Sequence, residues 1–113
     1  MSRPLITNEM VELALDYLAT NDETAAAARA QRVRAEHERK RVRARLILAS
    51  NEKTAGLREA WAESHQDYAA ACEAEAVAVE EDELHRNRRN KAEAIIEAWR
   101  SFEATRRAGR EFR

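Results

Sequence analysis

Three histidines, one cysteine and a clustered set of arginines are the residues of this chain that could do chemistry. His37, His65 and His85 lie far apart in sequence, and none has a cysteine close by, so no zinc-ligand spacing is present. Asp82-x-x-His85 has the i, i+3 spacing of half a carboxylate-bridged metal motif. Such a site needs a second copy and further glutamates from facing helices, so a solvated helix face is the plainer reading. Neither a phosphate-cradling glycine loop nor a nucleophile elbow occurs. Cys72 sits among alanines, as a small core residue would, and a lone cysteine fits a reducing, cytoplasmic setting. The expectation is a non-enzymatic protein with no catalytic residue, metal or cofactor, whose task is to bind a partner.

The cations are the other chemical resource. A formal net charge of −1 hides a block pattern. Residues 1–28 carry one Arg against five acids, and residues 29–45 eight Arg or Lys against two acids. Residues 46–84 carry two basics against ten acids, and residues 85–113 nine basics against four. Clustered cations neutralise phosphates and release counterions. On that ground Arg39, Lys40, Arg41, Arg43 and Arg45 are nucleic-acid candidates from the first basic block. Arg86, Arg88, Arg89, Arg100, Arg106 and Arg107 are candidates from the second. Trp99, Phe102 and Phe112 stand among the last of these, and aromatic rings between arginines suit single-stranded nucleic acid, whose bases stack on them. The competing reading puts Trp99 and Phe102 in a core on an i, i+3 stripe. It also pairs the first basic block with the chain's own acidic block.

Helices must position these groups, because the chain has only two glycines and one proline. A first helix is expected over about Asn8–Ala19, capped by Thr7 or Asn8. Thr20-Asn21-Asp22-Glu23 reads as a capping box that opens a second helix running to about Ser50. Its apolar line is Ala28, Ala35, Val42, Leu46 and Ala49, interrupted by Arg32 and Arg39, whose stems can pack along such a seam. Asn51-Glu52-Lys53-Thr54 is the clearest loop, with Asn51 suited to a left-handed helix end. Thr54 caps a short helix from Ala55 to about Glu63. Ser64-x-x-Asp67 resembles another capping box, which leaves a break there or a continuous helix equally open. A final helix is expected from Asp67 to about Ala108, ended by Gly109. Its stripe runs from Tyr68, Ala71, Cys72 and Val79 to Leu84, Ala92, Ile95, Trp99 and Phe102.

The fold expected is all-α: an elongated, coiled-coil-like antiparallel hairpin of two long helices with one or two short ones, in one domain over residues 1–113 with 109–113 frayed. A simple hairpin register sets Leu48 near Tyr68, Val42 near residue 74 and Gln31 near residue 85. The basic stretch 29–45 then faces Glu73, Glu75, Glu80, Glu81, Asp82 and Glu83, and the pairing fixes register more than it stabilises. The first helix is expected to pack on Ile95, Ile96, Trp99 and Phe102 as a small three-helix core. Much of the apolar content is alanine, which buries little area, so self-association is expected. No segment approaches the roughly 18 apolar residues of a membrane span.

The segment Ala94-Ile95-Ile96-Glu97-Ala98-Trp99-Arg100-Ser101-Phe102-Glu103-Ala104 resembles the C-terminal helix of phage recombination mediators of the UvsY type. An apolar pair, a Trp-Arg dipeptide, a Phe and a small-residue tail carry the likeness over residues 94–109. Arg41–Leu48, a basic helix ending in an apolar cluster, extends it loosely over 39–50. The resemblance implies a helical homo-oligomer in the host cytoplasm that binds single-stranded DNA. It also implies loading of a recombinase in place of a single-strand-binding protein. The rivals are a small adaptor or inhibitor of a host defence complex, acting through the acidic face 73–83, and a coiled-coil spacer.

Overall fold

A computed structural model describes residues 5–111. They form three helices: α1, Asn8–Ala49; α2, Ala55–Ser64; and α3, Gln66–Glu111. The fold is all-α, and α1 and α3 run antiparallel with the short α2 between them in sequence. The chain groups into two compact units, one from Met1–Ala25 with Leu84–Arg113 and the other Ala26–Glu83. No helix among the described residues is long and apolar enough to cross a membrane.

α1 begins where the Thr7 hydroxyl accepts a hydrogen bond from the Met10 amide at 3.1 Å. It then passes straight through the expected boundary at Thr20. The Thr20 hydroxyl does not cap a new helix; it donates backward to the Asp16 carbonyl at 2.9 Å. A threonine in a helix interior has that alternative, and with no Gly or Pro nearby nothing breaks the backbone ladder. One 42-residue helix therefore replaces the two expected.

At the far end the Ser50 amide donates to the Ile47 carbonyl at 3.3 Å, a tight final turn. No residue among those described has positive φ, so Asn51 does not supply the expected left-handed end. Thr54 caps α2 as expected, accepting from the Leu57 amide at 3.2 Å. The break after α2 is real, but its cap differs from the Ser64-x-x-Asp67 box. Ser64 donates back to the Trp61 carbonyl at 2.9 Å, and the His65 ring accepts from the Asp67 amide through Nδ1 at 3.0 Å. His65 itself is extended, with φ −73° and ψ 142°, which separates α2 from α3. α3 continues through Gly109 to Glu111, because glycine weakens a helix without obliging it to stop. Phe112 and Arg113 lie outside the described residues.

The packed faces follow a heptad spacing. On α1 the buried and half-buried positions step by three and four: Val11, Ala14, Leu18, Asn21 and Ala25 in the first unit, then Ala28, Arg32, Ala35, Arg39, Val42 and Leu46 in the second. On α3 the same steps give Tyr68, Ala71, Glu75, Ala78 and Asp82 in the second unit, then His85, Arg89, Ala92, Ile96, Trp99 and Glu103 in the first. This is an a/d seam of 3.5-residue period, mostly alanine and charge. Alanine layers admit close helix approach, and the polar layers fix which residues meet.

Within the second unit Val42, Leu46 and the fully buried Ala62 form the core, with Ile47, Tyr68 and Ala71 packed around it. Tyr68 therefore meets the Val42–Leu46 turn, not Leu48, which is 87% exposed. Ala49 is exposed as well. The expected register fails because α2 takes the place beside the end of α1 and α3 starts further along it. In the first unit the opening segment of α1 packs on the Ile96–Trp99 end of α3 as expected. It does so as a helix pair, because that segment is the start of α1 and no third helix is available.

Candidate functional site

Two arginines of the seam set the electrostatics of the second unit. Arg32 donates to Asp82 at 3.1 Å and to Glu83 at 2.8 Å. Arg39 pairs with Glu75. Bonds to Glu83, then Asp82, hold the Arg32 guanidinium above its usual range, and those to Glu75, then Tyr68, do the same for Arg39. Asp82 is only 4% exposed, and its carboxylate meets Arg32 there. The register differs from the expected one, yet the expected exchange between basic and acidic blocks does occur here.

Ion pairs engage several of the sequence candidates. Arg39 is inside the seam. Arg43 crosses to Glu63 of α2 at 3.0 Å. Lys40 pairs with Glu36 at 3.1 Å and Arg41 with Glu38 at 3.5 Å along α1. The hydrogen bond from Lys40, and then its charge, holds the Glu36 carboxyl below the usual carboxylate range. Arg45 is exposed and forms no ion pair among the described residues.

In the first unit Arg89 is half-buried, donating to the Leu18 carbonyl at 3.4 Å and reaching Asp22 at 3.5 Å. Arg86 is exposed but engaged with neighbouring groups. Among the described residues Arg100 and Arg106 form ion pairs with carboxylates of their own helix, Glu97 at 3.8 Å and Glu103 at 2.8 Å. Arg88 and Arg107 are exposed and make no ion pair among the described residues. The candidates brought together at the C-terminal segment of α3 are thus Arg100, Arg106 and Arg107.

Beside them is a small surface groove lined by Ile6, Asn8, Trp99, Phe102 and Arg106. Trp99 belongs to the seam, and its indole N–H donates to the Asn8 side-chain oxygen at 3.2 Å. Phe102 departs from the core expectation. It is 50% exposed, because one step of three beyond Trp99 leaves the seam, which continues at Glu103. A half-open ring with Arg106 one turn away on the same face can stack a base while the guanidinium meets a phosphate.

Three features were not legible in the candidate list. Asn21 and the buried His85 meet across the seam at 3.3 Å. The Tyr17 hydroxyl and the Asn21 carbonyl oxygen are buried without a hydrogen-bond partner among the described residues. An apolar groove lies between Met10, Leu13 and Tyr17 on α1 and Ile95 on α3. The three-four spacing of Met10, Leu13 and Tyr17, offset from the Val11–Ala14–Leu18 seam, was the signal for it. Among the described residues no group of three His, Cys, Asp or Glu side chains gathers as a metal site would require. No family model matches the chain, and neither a curated protein nor a solved structure matches it.

Proposed function

We propose that this chain is a non-enzymatic, self-associating accessory protein that binds single-stranded DNA, in the manner of a recombination mediator. The observation that carries the reading is the half-exposed Phe102 beside Arg106 and Trp99. Arg100 and Arg107 lie on the same segment. The Arg100–Glu97 pair is exposed on both sides and contributes little, so a phosphate displaces that carboxylate at small cost. Contacts of this kind neutralise phosphate and stack bases without reading sequence. Arg45, Lys40 and Arg41 offer a second basic strip on α1. Assistance in loading a recombinase, in competition with a single-strand-binding protein, is the part of the proposal that rests on the sequence resemblance.

Self-association is supported by the alanine seam, which buries little area, and by apolar side chains left in solvent, among them Leu15 and Val77. The adaptor reading, through the acidic face 73–83, is less well supported. Its Glu75, Asp82 and Glu83 are engaged with Arg39 and Arg32 inside the hairpin.

The test is titration of a labelled single-stranded oligonucleotide with the full chain and two variants. Phe102→Ala removes a ring that supports no core, so the fold should persist while affinity falls. Loss of one base stack corresponds to about 1–3 kcal/mol. Arg106→Ala should weaken binding to all sequences alike and reduce the salt slope by about one. Unchanged affinity in both variants would remove this site from the proposal.

A further inference from the structure

We infer that the groove of the first unit formed by Met10, Leu13, Tyr17 and Ile95, edged by Arg88 and Lys91, docks an acidic amphipathic helix of a partner protein. The inference goes beyond DNA contact, concerns different residues and does not depend on it.

The groove exists because the seam is small at this point. Ala14 and Ala92, both buried, form its floor, so the larger flanking side chains stand as walls around a trough of about 420 Å³. That volume falls within the roughly 300–1,000 Å³ typical of ligand sites, although this one is open along its length. Leu13 is 67% exposed at its edge, an apolar cost in water that only an apolar occupant relieves. The walls run from Met10 to Tyr17, about two helical turns, and match side chains spaced i, i+3 or i+4, and i+7 on an opposing helix.

Charge selects the occupant. Several exposed cations of the hairpin pair with a carboxylate one turn away on their own helix: Lys40 with Glu36, Arg41 with Glu38, Arg100 with Glu97 and Arg106 with Glu103. Arg88 and Lys91 have none. The residues three and four away from them are Leu84, His85, Ala92, Asn87, Ala94, Ile95 and each other. Neither forms an ion pair among the described residues. Two uncompensated cations one turn apart, bordering an apolar trough, call for two carboxylates one turn apart beside an apolar stripe. Nucleic acid would answer the cations but leave Leu13 and Met10 wet, since bases stack on rings and the one ring present, Tyr17, is half-buried with its hydroxyl turned inward.

The probe is a fluorescein-labelled designed helix with Leu at i, i+3, i+4 and i+7 and Glu on the flanks. A scrambled peptide of the same composition and a Lys-for-Glu version serve as controls, titrated against the full chain by anisotropy. The acidic helix should bind in the micromolar range or tighter, and the controls at least about tenfold more weakly. Leu13→Glu puts a charge on an exposed position, so the fold should persist by circular dichroism while peptide affinity drops about tenfold or more. Arg88→Glu with Lys91→Glu should do the same by another route, and Leu13→Glu should leave the Phe102-dependent DNA contact in place. Equal binding of acidic and scrambled peptides, or insensitivity to both variants, would overturn the inference. So would displacement of the peptide by single-stranded oligonucleotide, which would assign the groove to DNA. Loss of the protein's own oligomer in Leu13→Glu, with no peptide binding to the original chain, would assign it to a second copy and overturn it equally.

Discussion

Phe102 and Thr20 show how much one side chain's surroundings decide. Spacing alone put Phe102 on the Trp99 stripe, but the seam steps from Trp99 to Glu103, and the ring is left half in water. The difference matters because a buried ring would support the fold and an open one can hold a base. Phe102→Ala should therefore change thermal stability little, within about 0.5 kcal/mol for a surface position, while weakening oligonucleotide binding. Thr20 and Thr54 make a second contrast. Thr54 accepts from the Leu57 amide and caps α2, whereas Thr20 sits inside α1 and bonds backward to Asp16. Thr54→Ala should cost about 1 kcal/mol in a denaturant titration. Thr20→Ala should be neutral or slightly stabilising, since alanine is the better interior helix former. Comparable losses from both would restore the helix boundary at Thr20.

At the scale of the helices, the seam explains which interactions specify the hairpin. Arg39 against Glu75 and Arg32 against Asp82 and Glu83 are layers that a slipped register would mismatch. Both guanidiniums are held above their usual range, so their contribution is present at neutral pH and is lost as pH rises into the strongly alkaline range. Glu75→Arg should lower the unfolding midpoint by opposing like charges, and adding Arg39→Glu should recover much of the loss. Failure of the double variant to recover would mean that the pair does not set register. Leu46 and Leu48 test the same packing. Leu46→Ala removes a core side chain and should cost about 2 kcal/mol or more, while Leu48→Ala should stay within about 0.5 kcal/mol. All-helical structure, the Asn51–Thr54 loop, the Thr54 cap and the exchange between charge blocks were legible, because breakers, caps and charges act locally. The register was not, because α2 fills space beside Val42 and Leu46 that linear counting gives to α3. The α1 seam was legible from Ala28 to Leu46, with Arg32 and Arg39 in it, but much of the α3 seam was not, because Glu75, Asp82, His85 and Arg89 occupy heptad positions that an apolar count passes over.

For the whole molecule the proposed chemistry is that of a binding surface. The seam consumes Arg32 and Arg39, and Arg43 crosses to α2. Exposed cations include those of the two basic strips and Arg88 and Lys91 beside the apolar groove. An alanine seam buries little, so sedimentation at micromolar concentration should show an oligomer whose unfolding midpoint rises with protein concentration. A monomer with a concentration-independent midpoint would contradict the self-associating form of the proposal. The most direct measurement is anisotropy of a labelled single-stranded oligonucleotide titrated with the full chain at several salt concentrations, with a duplex of the same length as control. Binding in the micromolar range or tighter, a steep fall in affinity with salt and weaker binding to duplex are the results expected of phosphate neutralisation with base stacking. Absence of binding at low salt, or a preference for duplex, would contradict the reading of this chain as a single-stranded DNA-binding protein.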